Sequence, residues 1–315
     1  MKAMKYNEWK TSEVKYLFLD GEIVPYDKGL IHIFTPAYRY GAVVFEGIRG
    51  YWNKENEDIY LFRVKEHCRR LNQSMKMTRM DFTLEEKEMI NNLISLLKKN
   101  DIHQTVHIIY SAYVDGDGPM SSTGPIGTAI TVRRVGKTYD VENGIKCSTS
   151  QWRRNSDDAC PMRIKSAANY QNSRLALLQA RHDGYDSTIM LNRQGKVSEG
   201  PGACLFLVRD GHLTAPNVTS DQLEGITRDT VIELYKKQFH EDVVERSVDL
   251  TELYIAEEIF FCGSGAEVVP IVNVDGFAIG NGKPGKITEK LMKAYHAVVT
   301  GKTTDHAEWR IPVYK

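Results

Sequence analysis

The sequence predicts an α+β protein in two domains, and three observations carry that reading. An Asp-Gly pair between two apolar runs opens the chain as a hairpin. Two amphipathic helices then lie between strand-like runs up to residue 135. Beyond a stretch without periodicity, strands and helices alternate almost to the C-terminus. The expected division is a small N-terminal domain over 1–135, a linker over 136–144 and a large domain over 145–315.

In chain order, Tyr16 to Val24 forms the hairpin around Asp20-Gly21, and Ile59 to Phe62 is a strand. Val64 to Met77 is helical because Val64, Cys68, Leu71 and Met75 recur at helical spacing. Leu84 to Lys99 is a second helix, with Thr83 as N-cap and Glu86 three residues on. Val106 to Val114 and Ile126 to Val135 read as strands. In the second domain, Ala168 to His182 is a helix closing at Gly184, Ser187 to Asn192 a strand, and Arg193-Gln-Gly195 a turn. Ala203 to Val208 and His212 to Ala215 pair around Asp210-Gly211. Thr227 to Phe239 is an amphipathic helix, Ile259 to Cys262 a buried strand, and Ile287 to Val299 the last helix.

Composition narrows the function classes. A chain of 315 residues, 42% hydrophobic and 26% charged, matches an ordinary globular protein. Lys+Arg and Asp+Glu are equal at 41 each, which argues against a nucleic-acid partner that would select a basic excess. No apolar run reaches bilayer length, and the N-terminus lacks the apolar core of a signal peptide, so no membrane and a cytoplasmic protein are expected. The cysteines at 68, 147, 160, 204 and 262 are odd in number and lack a CxxC pair; they read as reduced thiols and not as a metal site.

Lys165 is the chemical focus. It stands in Pro161-Met-Arg-Ile-Lys-Ser-Ala-Ala-Asn-Tyr170, among small residues and five positions before Tyr170, with Glu199 downstream in VSEGPGACLFLV. Lysine, tyrosine and carboxylate together suit a Schiff-base site, where a lysine amine attacks a carbonyl. A surface lysine and a solvated strand-end carboxylate explain the same residues taken singly. Three segments can hold a phosphate. Gly225-Ile-Thr-Arg-Asp229 opens a helix, although an ordinary Thr cap explains it as well. Gly263-Ser-Gly-Ala-Glu267 is an anion-binding nest or a tight turn. Arg70 lies on the first helix, where a lone arginine is usually solvated.

Joint order is more specific than any one segment. YGxxxFEGIR (Tyr40 to Arg49), RxKEHxxRL (Arg63 to Leu71), KxxxNY (Lys165 to Tyr170), EGxGxxLF, GITRD and GSGAE occur in succession. From about Leu17 to about Thr300 the chain resembles the fold-type IV pyridoxal phosphate-dependent enzymes, the class IV aminotransferases, and among them the branched-chain amino acid aminotransferases. The resemblance implies a two-domain D-amino acid aminotransferase-like fold with pyridoxal 5'-phosphate at the domain interface. It implies a homodimer and a ping-pong transfer from a branched-chain or similar apolar amino acid to a 2-oxo acid such as 2-oxoglutarate. By it, Lys165 forms the internal aldimine and shuttles the proton, Glu199 keeps the ring nitrogen protonated, and Tyr170 bonds the ring O3′. Arg70, Ile226, Thr227 and Ser264 grip the phosphate. Gly265 and Ala266 offer N–H groups to the substrate carboxylate, and Phe45, Tyr40 and Arg49 line the pocket or its dimer-facing rim.

Two departures from the family pattern stand out. Branched-chain enzymes carry a Tyr-x-Arg on the strand after the second helix, a place that falls near Val106-His-Ile108 here; no Arg occurs between Ile102 and Tyr113. A carboxylate without that Arg loses a strong contact, for which His107, Arg39 or the Asp115–Pro119 loop are the candidate replacements. Gly200-Pro-Gly-Ala-Cys204 also replaces a Gly-Ala-Gly-x-Asn type of signature. The departures leave (R)-amine or D-amino acid transamination, or an aminodeoxychorismate lyase-like reaction, as alternative activities on the same fold. A non-catalytic scaffold is the alternative from another class, against which the intact set of Lys165, Tyr170, Glu199, Arg70 and Thr227 argues.

Overall fold

The computed structural model describes residues 14–135 and 139–315. Within them the chain divides into two compact units: 14–135 with Ser166–Ala168 and Val299–Lys315, and 139–165 with Asn169–Val298. Residues 136–138 of the expected linker, and residues 1–13, lie outside the described residues.

In the first unit, β1 (Tyr16–Leu19) and β2 (Glu22–Pro25) form the expected hairpin. Its turn takes positive φ at Asp20 and at Gly21, 49° and 90°, the left-handed pair that suits the twist of a two-residue hairpin. A short helix α1 (Pro36–Tyr40) precedes β3 (Val43–Asn53), which spans the FEGIR segment, and β4 (Asp58–Phe62) follows. The first amphipathic helix, α2 (Val64–Met77), has the predicted bounds and buries Val64, Cys68, Leu71 and Met75. The second, α3, runs from Glu86 to Lys99 with Glu85 as N-cap, and no side-chain bond caps it. The expected start at Leu84 and cap at Thr83 fail for a clear reason. Asn72 of α2 captures both backbone groups of Leu84, accepting from its N–H and donating to its carbonyl, each at 2.9 Å. Leu84 is thereby tied to α2 instead of starting α3.

The strands β5 (Val106–Val114) and β6 (Ile126–Arg134) complete the centre of an antiparallel sheet. Val106, Ile108, Tyr110, Ala112 and Val114 alternate onto the buried face, which α2 and α3 cover; Tyr110 accepts a hydrogen bond from Asn92 of α3. The opposite face carries half-buried Phe45 and buried Gly47 and Arg49 of β3, which lie across from half-buried Ser111, Ile109 and His107 of β5.

The second unit holds a mixed sheet. It contains β7 (Ile145–Thr149), β8 (Ser187–Ile189), β9 (Cys204–Arg209), β10 (His212–Pro216), β11 (Val244–Arg246), β12 (Glu258–Gly263), β13 (Glu267–Val274) and β14 (Phe277–Ala278). Its helices are α4 (Tyr170–His182), α5 (Ile226–Phe239), α6 (Leu250–Tyr254) and α7 (Lys286–Val299). The central strands β9 and β12 are buried on both faces, which explains why they read as continuous apolar runs. One face packs Leu205, Leu207, Ile259 and Phe261 with Val248 and Leu253. The other stacks Phe206 on Phe260 at 5.1 Å. Fully burying one such ring contributes roughly 1.5–3 kcal/mol. The Glu258 carboxylate accepts from the N–H groups of Ile287 and Thr288 and so fixes the start of α7.

The strand expected over Ser187 to Asn192 ends at Ile189. Beyond it the chain folds back on itself: Met190 N–H donates to Glu199 O and Ser198 N–H to Met190 O, around the predicted turn at Arg193–Gly195. The last strand, β15 (Arg310–Pro312), pairs with β4, and buried Asp58 accepts from the N–H groups of Val313 and Tyr314. That pairing returns the C-terminal segment, expected with the large domain, to the first unit.

Candidate active site

Lys165 sits at the end of a tight loop built by one side chain. Asn169 Nδ2 donates to the carbonyls of Pro161 and Ile164, at 2.9 and 3.0 Å, while its Oδ1 accepts from Cys160 Sγ. Asn169 is 2% exposed, so the clamp is rigid and delivers Lys165 in a fixed position. The short 3-10 turn Ala167–Asn169 leads into α4, whose first residue is Tyr170. Lys165 Nζ donates to Tyr170 Oη at 2.7 Å. The expected lysine–tyrosine pair is thus a direct contact.

Glu199 is 2% exposed and not the solvated strand-end carboxylate of the plainer reading. The backbone pairing with Met190 holds it in place. Arg154, 3% exposed, donates to it through Nε at 3.0 Å and Nη2 at 2.7 Å, and the Leu223 N–H donates at 3.2 Å. All three donors land on Oε1, and among the described residues no hydrogen bond reaches Oε2. Burial pushes the carboxyl above its ordinary pKa; Arg154, the Leu223 N–H and the charge of Lys165 pull it back. Arg154 escaped the sequence reading. It lies in a polar segment beside exposed Arg153, and no local pattern separates the two.

The phosphate candidates of this unit assemble at one end of the central strands. The helix α5 opens at Ile226 with Gly225 as N-cap and no side-chain cap bond. Thr227 is therefore not the cap, its hydroxyl is not spent on capping, and it is 3% exposed. A Cβ on Gly225 would come 2.7 Å from Cys204 Sγ, so glycine is required where the helix start meets β9. The departure at Cys204 acquires a role there, as its thiol packs under Gly225. Pro201 costs nothing in the neighbouring turn, since the bond that closes it runs from Gly200 N–H to Ala203 O at 2.8 Å. Ser264, Gly265 and Ala266 form the three-residue loop between β12 and β13, closed by the pair Gly263 and Glu267. Because Cys262 pairs with Cys204, this loop rises beside the 200–203 turn.

The remaining candidates belong to the first unit. Arg70 is not a solvated helix residue. It is 9% exposed and clasps the fully buried Glu46, Nε to Oε1 at 2.8 Å and Nη2 to Oε2 at 2.7 Å. His67 Nδ1 shares Oε2 at 2.7 Å. Burial alone would raise the Glu46 pKa; the charges and hydrogen bonds of Arg70 and His67 outweigh it and hold it at about 2. Phe45 and Arg49 leave β3 on the opposite face from Glu46. Arg49 lies across from His107, and His107 across from Arg133, so three basic side chains run abreast over β3, β5 and β6. Tyr40 ends α1, 41% exposed, its hydroxyl accepting from Arg39 at 2.7 Å.

The residues present fit pyridoxal phosphate by their chemistry. A lysine amine is paired with a phenol, a buried carboxylate keeps one oxygen without a donor, and a helix N-terminus without a side-chain cap can meet a phosphate. The five cysteines are all free, and among the described residues no cluster could hold a metal ion.

Comparison with known proteins agrees with that chemistry. Residues 43–274 match the family model for amino-transferase class IV. The chain is 38% identical over 307 residues, 97% of its length and 99% of the relative's, to a probable branched-chain-amino-acid aminotransferase of Aquifex aeolicus. It is similar to the crystal structure of the branched-chain amino acid aminotransferase from Thermobaculum terrenum in its PLP form, with a TM-score of 0.90, 39% identity, and coverage of 96% of this chain and 99% of that one. The branched-chain aminotransferase of Thermoproteus uzoniensis, solved with norvaline, gives a TM-score of 0.91 at 35% identity, covering 96% and 100%.

Proposed function

This chain belongs to the class IV amino-transferases, and we propose that its Lys165 site moves the amino group of a branched-chain or similar apolar amino acid to a 2-oxo acid such as 2-oxoglutarate. The observation that carries this reading is the conjunction of the Lys165–Tyr170 contact with a buried carboxylate that keeps one oxygen in reserve. The substrate class follows from the names and full-length coverage of the relatives.

Bound pyridoxal phosphate supplies an aldehyde and an electron-withdrawing ring that stabilises a carbanion at the substrate Cα. Lys165 would hold it through Nζ and would move the proton at the substrate Cα. Tyr170 orients that amine. Glu199, through Oε2, would accept from the ring nitrogen. The N–H groups of Ile226 and Thr227, the Thr227 hydroxyl and Ser264 would take the phosphate; Arg70, whose guanidinium Glu46 holds in one orientation, is the candidate of the first unit for the same anion. Gly265 and Ala266 offer backbone N–H groups to the substrate's α-carboxylate, and Phe45 and Tyr40 supply apolar surface for its side chain.

The row Arg49–His107–Arg133 stands in for the missing Tyr-x-Arg. Arg49 and Arg133 flank His107 across the sheet, so a substrate carboxylate held there would meet cationic side chains. A second reading, (R)-amine transamination, is favoured by the apolar Ile109 that follows His107 on the same face. We infer that the protein is a cytoplasmic homodimer. Leu30, Ile33 and Tyr38 of the first unit, 62%, 66% and 71% exposed, suit a second copy of the chain. Light scattering at micromolar concentration tests it, and a monomer refutes it.

The decisive experiment pairs L-leucine, D-alanine and (R)-1-phenylethylamine with 2-oxoglutarate and pyruvate. L-leucine with 2-oxoglutarate should turn over fastest, and Lys165→Ala should lose both turnover and the visible absorbance of bound cofactor. Good activity with the (R)-amine and little with L-leucine selects the second reading. A colourless protein that cannot be reconstituted with cofactor rejects both.

A further inference from the structure

We propose that Arg154 is a positioning residue for the cofactor ring: it fixes which oxygen of Glu199 faces the ring nitrogen and keeps that carboxylate ionised. The inference rests on the reading that the ring nitrogen meets Glu199.

The geometry of the pair is unusual for an arginine and a carboxylate. A guanidinium commonly meets a carboxylate fork to fork, one N–H for each oxygen. Here Nε and Nη2 both converge on Oε1, at 3.0 and 2.7 Å, and the Leu223 N–H adds a third donor to that oxygen. The remaining terminal nitrogen, Nη1, is held away from Glu199 by Ser173 Oγ of α4 at 2.7 Å and by Met190 Sδ at 3.6 Å. The guanidinium therefore cannot rotate into the fork without breaking the Ser173 bond. Oε1 is saturated and Oε2 is left as the acceptor.

Charge supplies the second half of the argument. A carboxyl buried to 2% exposure favours its neutral form, and a neutral carboxyl cannot hold a proton on the ring nitrogen. Arg154, itself 3% exposed, is the cation in direct contact with it, and its own desolvation is compensated by Glu199, Ser173 and Met190. With Arg154 absent, the buried carboxylate would keep only the charge of Lys165, which makes no hydrogen bond to it, and would take up a proton more readily. One arginine then serves two ends: orientation through the convergent bonds, and ionisation through its charge.

The test is a double-mutant cycle on the full-length enzyme with Arg154→Met, Glu199→Gln and the double variant, read by pyridoxal phosphate affinity and by the pH at which the absorbance of the bound cofactor changes. Arg154→Met should weaken cofactor binding about 10- to 100-fold, the range that outer partners of a bound group command, and both it and Glu199→Gln should move the spectral transition into the accessible pH range. Added to Glu199→Gln, it should change affinity by less than about threefold, because the two act as one unit. Arg154→Lys, which keeps the charge but not the convergent fork, should restore the spectral transition more fully than the affinity. Multiplicative losses in the double variant would overturn the inference, as would an unaltered spectrum in Arg154→Met beside an altered one in Glu199→Gln. If Glu199→Gln itself changes neither readout, the placement of the ring nitrogen fails instead. A Lys variant that folds normally by its melting temperature keeps the result readable if the Met variant is unstable.

Discussion

Two buried carboxylates, one in each unit, are each clasped by an arginine, and they are clasped differently. Glu46 has both oxygens engaged, Oε1 by Arg70 Nε and Oε2 by Arg70 Nη2 with His67. Glu199 has every donor on one oxygen. The electrostatic results diverge in step: partners outweigh burial at Glu46, whose pKa falls to about 2, whereas burial leads at Glu199, whose pKa rises. A carboxylate with its acceptor capacity filled by protein donors has structural work, here the orientation of Arg70. A carboxylate with one oxygen withheld is prepared for a donor that the chain does not supply.

The largest effect should come from breaking the second clasp. Glu199→Gln cannot hold a proton on the ring nitrogen, so kcat with L-leucine should fall roughly 10²- to 10³-fold at saturating cofactor, the size typical of losing one preorganised electrostatic partner. Glu46→Gln should lower the free energy of unfolding by about 3–5 kcal/mol, because it strands Arg70 in the interior, while kcat at saturating cofactor stays within tenfold. Glu199→Gln strands Arg154 in the same way, so both variants lose stability in a denaturant titration and turnover is what separates them. Equal turnover in the two variants would erase the distinction between a structural and a functional carboxylate.

Acid sharpens the same contrast through opposite signs. The folded pKa of Glu46 lies below its ordinary 4.5, so its stabilising contribution is complete above about 4.5 and is lost as pH falls towards about 2. Glu199 is shifted the other way, so its ionisation opposes folding at neutral pH and acid relieves that opposition. Unfolding measured between pH 5 and 2 should therefore show a shallower acid loss in Glu46→Gln than in the parent protein, whereas Glu199→Gln should lose the stability that the parent gains on acidification from neutral pH towards about 4.5. Parallel curves for all three proteins would contradict the assigned directions.

How much of this was legible beforehand differs between the two clasps. Helical spacing gave α2 its bounds, and the Asp-Gly pair placed the first hairpin. Local signals failed where a distant side chain decides: Asn72 takes both backbone groups of Leu84 and delays α3, and the pairing of β15 with β4 returns the C-terminus to the first unit. Motif order brought out Lys165, Tyr170 and Glu199, and the structure sets the first two in contact. It said nothing of Arg154, because burial alone distinguishes that residue from exposed Arg153. Glu46 stood inside a recognised segment, yet its partners come from a helix some twenty residues on, a pairing that only the packing of α2 on β3 creates.

The smallest effect concerns the anion end of the Glu199 unit. Thr227→Val keeps the shape and the backbone N–H at the start of α5 and removes the hydroxyl alone. Gly225 is the cap and no side chain closes that helix, so the change should leave helix stability nearly intact. A hydrogen bond to a charged phosphate contributes about 1.5 kcal/mol, which corresponds to a roughly tenfold rise in the cofactor dissociation constant. Inorganic phosphate, used as a competitor of cofactor binding, should weaken by a similar factor. The kcat at saturating cofactor should not move, because the hydroxyl acts far from the reacting carbon. An unchanged dissociation constant would make Thr227 an ordinary buried helix residue and leave the backbone N–H groups of α5 and Ser264 to hold the phosphate.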